Sequence, residues 1–230
     1  MLPKDRSSSS AGVAVATFDL IVFDLDGVII DSAQDLVNAA QHSLQHVGSS
    51  HPDPLFMRSC IGGGARNLLL RCLDEDKKER VDQALAFFRT YYPQHCTEHT
   101  VLHPGVHEVL RFYAGKKRLA LATFKIRSAT IKILTALQVL DYFDVVITAD
   151  DVQRPKPDPE CIRVILQRLG LRPERTLLVG DTITDIRTGT NAGVATCAVS
   201  YGIGARLELC DSGPNFLIDD IRELEEMSPL

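Results

Sequence analysis

Short apolar runs recur along the chain, and each of them stops abruptly at polar residues. Six runs have the length and composition of buried strands, at residues 18–23, 119–123, 145–148, 176–180, 196–199 and 215–218. Helical patterns lie between the later runs, at residues 106–113, 128–137, 159–169 and 184–192. Glycines that end helices follow three of these patterns, at Gly115, Gly170 and Gly193. Strands that alternate with helices predict β-α-β units, and therefore an α/β fold with a parallel sheet covered on both faces.

Residues 34–100 interrupt this alternation, because only helical spacing is visible there. Two helix faces are predicted, one with Leu36, Ala40, Leu44 and Val47, the other with Val81, Leu85, Phe88 and Tyr92. A helical block placed after the first strand of a parallel sheet indicates an insertion. We therefore predict a Rossmann-like parallel sheet core at residues 18–33 and 101–230, an inserted all-helical cap at 34–100, and a flexible N-terminal tail at 1–17.

Composition narrows the class of protein. The 230 residues are 45% hydrophobic and 24% charged, which is typical of a soluble globular protein. A net charge of −5 argues against a nucleic-acid-binding protein, and no apolar stretch is long enough to span a membrane. The Ser-rich residues 1–17 lack the apolar segment of a secretory signal; an organelle-targeting role is the alternative to a flexible tail. Six widely spaced cysteines without a C-x-x-C pair predict reduced thiols and a cytoplasmic location.

Acidic side chains follow two of the predicted strands. Asp24 and Asp26 come directly after the first strand, and Asp181 and Asp185 come after the run at 176–180. Ligands of open α/β sheets bind outside the carboxyl ends of the strands, so these carboxylates are expected to converge. Carboxylates at such density require a cation between them, and an all-oxygen site favours Mg²⁺.

The same edge carries groups suited to phosphoryl transfer. A carboxylate that faces a metal-bound phosphate can act as a nucleophile, and a second carboxylic acid can protonate the leaving group. Thr123, at the end of the second predicted strand of the core, offers a hydroxyl and a backbone N–H to phosphoryl oxygens. Lys156 offers a positive charge between two prolines.

In this order, the motifs DLDGVIIDS, Thr123, RPKPDP and GDTITD resemble the four motifs of the haloacid dehalogenase superfamily of aspartate-nucleophile phosphotransferases. The resemblance runs from Phe18 to the C-terminal helix and includes the cap. The segments IGGGARNLLLRCL, YYPQHCTEHTVLHPGV and DPECIRVILQRLGL are similar to the phosphoglycolate phosphatase subgroup. The resemblance implies a magnesium-dependent phosphatase for a small phosphorylated metabolite, most specifically 2-phosphoglycolate, acting through an aspartyl-phosphate. Another organic phosphate or pyrophosphate as substrate, a β-phosphoglucomutase-like phosphomutase and a non-catalytic regulatory homologue are the alternatives.

The resemblance also implies a role for each site residue. Asp24 would be the nucleophile and Asp26 the general acid and base. Thr123 and Lys156 would bind the phosphate, and Arg66 of the cap would contact the substrate. The metal ligands would be Asp24, the backbone carbonyl of Asp26, Asp181 and, beside them, Asp185.

One residue departs from the subgroup, which usually reads Thr-Asn-Lys where this chain reads Thr123-Phe124-Lys125. Phe124 keeps a backbone N–H for the phosphate, but its side chain cannot donate a hydrogen bond. We therefore expect altered phosphate binding or leaving-group selection. The same substitution is what motivates the regulatory alternative.

Three further patterns receive structural interpretations. The glycines at 62–64 lack a preceding strand and a following G-K-[ST], so they predict a cap loop rather than a nucleotide site. The histidine pairs four residues apart, between positions 42 and 107, are interpreted as solvated cap residues rather than metal ligands. Asp31 and Ser32, with Asp35 three residues further on, are predicted to cap the first cap helix.

Overall fold

The structure is a computed structural model that describes residues 17–230. Its strands are β1 (Leu20–Phe23), β2 (Ile30–Asp31), β3 (Val101–Leu102), β4 (Arg118–Ala122), β5 (Val145–Ile147), β6 (Thr176–Gly180), β7 (Ala195–Val199) and β8 (Phe216–Ile218). Its α-helices are α1 (Ala33–His46), α2 (Pro54–Ser59), α3 (Ala65–Cys72), α4 (Val81–His95), α5 (Val106–Tyr113), α6 (Arg127–Ala136), α7 (Glu160–Leu169), α8 (Ile183–Ala192), α9 (Arg206–Asp211) and α10 (Glu223–Met227). Apart from Thr17, the predicted tail lies outside the described residues.

Six strands form one parallel sheet in the order β5-β4-β1-β6-β7-β8. The predicted α/β class with a Rossmann-like sheet and an inserted helical cap is confirmed, and each predicted strand and helix has its counterpart. The chain proceeds from β1 through β4 to β5 on one side and then returns to β6 on the other side of β1. This reversal opens a crevice at the carboxyl ends of the central strands, the usual place for a ligand in such sheets.

Both faces of the sheet are buried. Because alternate residues of a strand point to opposite faces, each strand contributes to the apolar packing on both sides. Ile21 and Phe23 of β1 join a hydrophobic core that includes α5, α6 and buried residues of α1 to α4. Leu20 and Val22 join a separate cluster built on α7. One apolar core therefore continues from the sheet into the inserted helices.

The insertion begins and ends at a short antiparallel pair that the sequence did not reveal. β2 pairs with β3, Ile30 opposite Leu102 and Asp31 opposite Val101. Between them, α1 and α4 pack along each other, with α2 and α3 against α1 and α3 also against α4. The buried positions of α1 and α4 follow the predicted spacings. No helix among residues 17–230 is long and apolar enough to cross a membrane.

The start of α1 differs from the prediction. The Asp31 carboxylate accepts a hydrogen bond from the backbone N–H of Ala33, but the side chain of Ser32 caps no backbone group of the helix. The Ser32 hydroxyl donates instead to the carboxylate of Asp26. The predicted capping by Ser32 is therefore wrong, because the hydroxyl is engaged outside the helix.

Asp35 is also no capping residue, since it joins the two ends of the insertion. Its side chain is 1% exposed and accepts hydrogen bonds from the backbone N–H groups of His99 and Thr100, at 3.1 and 3.0 Å. The Thr100 hydroxyl donates to it at 2.8 Å. Burial alone would raise the pKa of Asp35, but these hydrogen bonds and that with Nδ1 of His99, at 2.8 Å, outweigh burial and hold the pKa below its ordinary value. Asp35 thus holds the first turn of α1 against the segment that leads into β3.

Replacing Asp35 by Ala is expected to lower the free energy of unfolding by about 1.5–3 kcal/mol near pH 7, because buried donors lose a charged acceptor. Urea denaturation measures the loss. The exposed Asp76→Ala is the control and should change stability by less than about 0.5 kcal/mol. Because the pKa of Asp35 is lowered, the difference should be fully present above the ordinary value of 3.8 and decline as the pH falls through the lowered pKa of the folded protein. An equal loss at pH 3 and pH 7 would contradict this account.

Candidate active site

The predicted site residues of the core lie at the carboxyl ends of three adjacent strands. Asp24 follows β1, Thr123 follows β4 and Asp181 follows β6. Strand pairing continues into two of them: the N–H of Asp24 donates to the carbonyl of Val179 at 2.9 Å, and that of Thr123 to the carbonyl of Ile147 at 3.0 Å. The sheet therefore fixes the backbone from which these side chains extend.

Three carboxylates form a compact buried group. Oxygen atoms of Asp24, Asp181 and Asp185 lie within 4.8 Å of one another, and all three residues are buried. Burial, opposed by Lys156 and reinforced by Asp185, raises the pKa of Asp24 to about 7. Burial, together with the carboxylates of Asp185 and Asp24, raises the pKa of Asp181 well above its ordinary value. Burial is the largest cause of both shifts, and repulsion between the carboxylates adds to it.

Asp181 shows where the missing positive charge fits. Its Oδ2 accepts a hydrogen bond from the N–H of Ile203 at 2.7 Å. Its Oδ1 is buried and has no hydrogen-bond partner among residues 17–230. A buried carboxylate oxygen without a partner is costly, and a cation would satisfy it. The three carboxylates offer oxygen ligands of the kind that a hard divalent cation such as Mg²⁺ takes, so this group could hold such an ion.

Glycines allow the backbone to approach Asp181 closely. Gly27 has a φ of +87°, and a Cβ added there would lie 2.1 Å from the Asp181 carboxylate. A Cβ at Gly202 would lie 2.4 Å from the Cβ of Asp181. The turn after β1 and the loop after β7 therefore pack closely around Asp181. A side chain at either glycine would overlap the side chain of Asp181.

Lys156 is the cation of this group. Its Nζ donates to Oδ1 of Asp24 at 2.8 Å and to Oδ1 of Asp185 at 2.7 Å, and its side chain is 4% exposed. Burial alone would lower the pKa of Lys156, but Asp185 and Asp24 raise it above the ordinary value. The lysine is therefore charged at neutral pH and neutralises part of the carboxylate group.

Asp185 is fixed by the helix that follows β6. Its Oδ2 accepts from the N–H and the hydroxyl of Thr182, at 3.2 and 2.6 Å, and the Thr182 side chain accepts from the Asp185 N–H. This capping box starts α8 and leaves Oδ1 of Asp185 for Lys156. The sequence GDTITD thus forms both a helix start and a part of the site.

Asp26 lies apart from the three buried carboxylates, in a group that the sequence did not predict. Its Oδ1 accepts from the Ser32 hydroxyl and forms an ion pair with Nζ of Lys125 at 3.0 Å. Nζ of Lys125 also donates to the hydroxyl of Tyr92, on α4. Burial would lower the pKa of Lys125, but Asp26 and Tyr92 raise it above its ordinary value. The position of Lys125, two residues after Thr123, was the only signal in the sequence.

A cavity of about 270 Å³ lies over the site, between the core loops and the inserted helices. Its walls include the predicted residues Asp24, Asp26, Arg66, Thr123, Phe124, Asp181 and Asp185. Apolar side chains of the insertion form much of the rest, at Leu36, Ile61, Leu68, Leu85 and Phe88. Arg66 forms an ion pair with Asp82 at 3.2 Å, with both side chains exposed, and Arg89 of α4 lines the cavity as well.

The histidine pairs lie elsewhere. His42 and His95 both stack against Tyr91 on the outer side of α1 and α4. The centre of the Tyr91 ring lies 4.1 Å from that of His42 and 4.0 Å from that of His95. His103 lies after β3 and packs against Tyr201. Its Nε2 is buried, so the interpretation of all the histidines as solvated cap residues is wrong for His103. All six cysteines carry free thiols, as predicted, and five of them are buried.

Comparison with known proteins gives matches over most of the chain. Residues 21–199 match the sequence model of the haloacid dehalogenase-like hydrolases. A phosphoglycolate phosphatase of Nitrosococcus oceani is 27% identical over 215 residues, covering 91% of this chain and 96% of that protein. A phosphoglycolate phosphatase of Pseudomonas syringae pv. tomato is 33% identical over 213 residues, covering 89% and 78%. The crystal structure of a predicted phosphoglycolate phosphatase from Haemophilus somnus superposes with a TM-score of 0.81 at 27% identity, covering 91% and 97%.

Replacing Asp181 by Asn should have opposite effects without and with magnesium. Without the ion, the variant should unfold at a higher temperature than the unchanged protein, because a buried and uncompensated negative charge is removed. With millimolar Mg²⁺, the unchanged protein should gain stability and the variant should not. Thermal unfolding followed by circular dichroism measures both, with the exposed Asp211→Asn as the control. Equal stabilisation of both proteins by Mg²⁺ would exclude Asp181 as a ligand.

Proposed function

Because the chain belongs to the haloacid dehalogenase-like hydrolases and is a phosphatase, we propose that it hydrolyses 2-phosphoglycolate with the help of Mg²⁺ and through an aspartyl-phosphate on Asp24. The observation that carries this proposal is the group of three buried carboxylates with one lysine at the crevice of the sheet. The relatives named phosphoglycolate phosphatase support the choice of substrate.

The chemistry divides between two carboxylates. The carboxylate of Asp24 attacks the phosphorus atom, the bond from phosphorus to the leaving oxygen breaks, and Asp26 gives that oxygen a proton. Asp26 then takes a proton from the water that attacks the aspartyl-phosphate, which frees inorganic phosphate and restores both groups. Magnesium would reduce the repulsion between Asp24 and the phosphate and polarise the phosphoryl oxygens.

The phosphoryl oxygens have donors within the same loops. The Thr123 hydroxyl accepts a hydrogen bond from the N–H of Lys125 at 3.1 Å, so its own proton is available to the phosphate. Lys156 adds a charge, and the backbone N–H of Phe124 is a further candidate. Each of these donors would bind the phosphoryl group, and the rest of the substrate would contact the walls of the cavity.

The cavity and the insertion determine which phosphate enters. About 270 Å³ suits a small metabolite, and Arg66 and Arg89 are positive charges available for a carboxylate such as that of 2-phosphoglycolate. We also propose that residues 34–100 act together as a cap that closes over the substrate and keeps water away during the first step. A cytoplasmic location belongs to the same proposal, since free cysteines persist in reducing compartments.

Replacing Asp24 by Asn should lower kcat by at least about 1,000-fold, because the amide is a poor nucleophile. Phosphate release from 2-phosphoglycolate with Mg²⁺ measures the rate, with Asp211→Asn as the control of unchanged activity. Acid quenching of a reaction with 2-phosphoglycolate that carries a radiolabelled phosphoryl group should trap a phosphoprotein only where Asp24 is present. Full activity of the Asn variant would refute the nucleophile.

A panel of phosphate esters identifies the substrate. We expect 2-phosphoglycolate to give the highest kcat/KM, about 10-fold or more above other small organic phosphates and pyrophosphate, since one added favourable contact is worth about that factor. Chelation of Mg²⁺ should abolish turnover of every substrate. Conversion of β-glucose 1-phosphate into an isomer without phosphate release would indicate a phosphomutase instead.

A further inference from the structure

We propose that Tyr92 and Lys125 are positioning residues, which hold the carboxylate of Asp26 in its working orientation when α4 lies against the core. This inference rests on the proposed function, in which Asp26 gives and takes the proton. It assigns to the cap a part in the chemistry besides the exclusion of water.

Lys125 binds two partners from different parts of the fold. Its Nζ lies 3.0 Å from Oδ1 of Asp26, in the turn after β1. The same atom donates to the hydroxyl of Tyr92 and lies 4.5 Å from the centre of the Tyr92 ring. The side chain of Lys125 is 4% exposed, and Tyr92 is 2% exposed. A buried ammonium needs both a counter-charge and hydrogen-bond acceptors, so Lys125 depends on the two partners together.

The second contact of Asp26 also begins at the insertion. The Ser32 hydroxyl, directly before α1, donates to the same oxygen, Oδ1. α1 and α4 pack along each other, so Ser32, directly before α1, and Tyr92, the partner of Lys125, are carried by one pair of helices. Both contacts fall on Oδ1, which leaves Oδ2 for the leaving oxygen of the substrate. A displacement of the helices would therefore take Tyr92 away from Lys125 and the Ser32 hydroxyl away from Asp26.

A second lysine offers a comparison, because it attaches the cap to the core without contacting Asp26. Lys132, on α6, donates to the backbone carbonyls of Pro93 and Gln94 at 2.8 and 2.9 Å. It joins the core to the end of α4 as Lys125 does, but it is exposed and does not contact Asp26. Tyr91 is similarly a neighbour of Tyr92 on the same helix, with its ring against histidines on the outer side.

The test compares two substrates that differ in their need for a proton. 4-Nitrophenyl phosphate has a leaving group that departs without protonation, whereas an alkyl phosphate such as 2-phosphoglycolate requires it. Lys125→Met should lower kcat for the alkyl phosphate by about 100-fold and for the aryl phosphate by less than about 10-fold, since general acid catalysis contributes at least about 100-fold. Tyr92→Phe, which keeps the ring, should lower kcat for the alkyl phosphate by about 10-fold, with KM almost unchanged.

Matched variants make each outcome decisive. Tyr91→Phe and Lys132→Met should leave both rates unchanged, and Lys125→Arg should restore part of the alkyl rate. Asp26→Asn should show the same difference between substrates at larger size; without that difference the proposed function fails. If Asp26→Asn shows it but Lys125→Met and Tyr92→Phe lower both rates equally or not at all, the positioning role is refuted. Should Lys125→Met not fold, Tyr92→Phe and Lys125→Arg carry the test.

Discussion

The repulsion among buried carboxylates at one edge of the sheet is the constraint around which this molecule is arranged. Ligand atoms of Asp24, Asp181 and Asp185 lie within 4.8 Å of one another, and all three residues are buried. Lys156 offsets part of their charge, and Oδ1 of Asp181 has no partner among the described residues. A divalent cation would offset the remaining charge of these carboxylates. In the proposed function, the electrostatic cost of the metal-free site would therefore be the source of its affinity for Mg²⁺.

In the proposed function, the inserted helices would have to let one site exclude water in the first step and use it in the second. Apolar residues of the insertion line much of the cavity, and low polarity there would strengthen the interaction of Lys156 with a phosphate. Hydrolysis of the proposed aspartyl-phosphate would nevertheless require a water molecule beside Asp26. Asp26 contacts Ser32, directly before α1, and Lys125, which binds Tyr92 of α4. In the proposed mechanism, these contacts would connect the position of the cap to the proton transfer.

The sequence predicted those parts of the molecule that depend on local patterns. Strands buried on both faces leave uninterrupted apolar runs, and their polar ends mark the site, so Asp24 and Asp181 were found before the fold was known. β2 and β3 were missed because a strand of two residues has no periodicity. The pairing of Lys125 with Tyr92 and that of Asp35 with Thr100 join residues 33 and 65 positions apart. They depend on how the insertion packs, which no local pattern encodes.

Phe124 shows how a substitution inside a motif can shift a role rather than remove it. An asparagine at this position could donate to a phosphate or to the leaving group, whereas the Phe124 ring lines the cavity, with Nζ of Lys156 5.9 Å from its centre. Its Cβ lies 4.0 Å from the place where a Cβ at Gly64 would be, so the side chain also approaches the glycine loop of the cap. The backbone N–H is unaffected by the exchange. In the proposed function, we therefore expect the substitution to affect the leaving part of the substrate and the contact with the cap rather than the phosphoryl group.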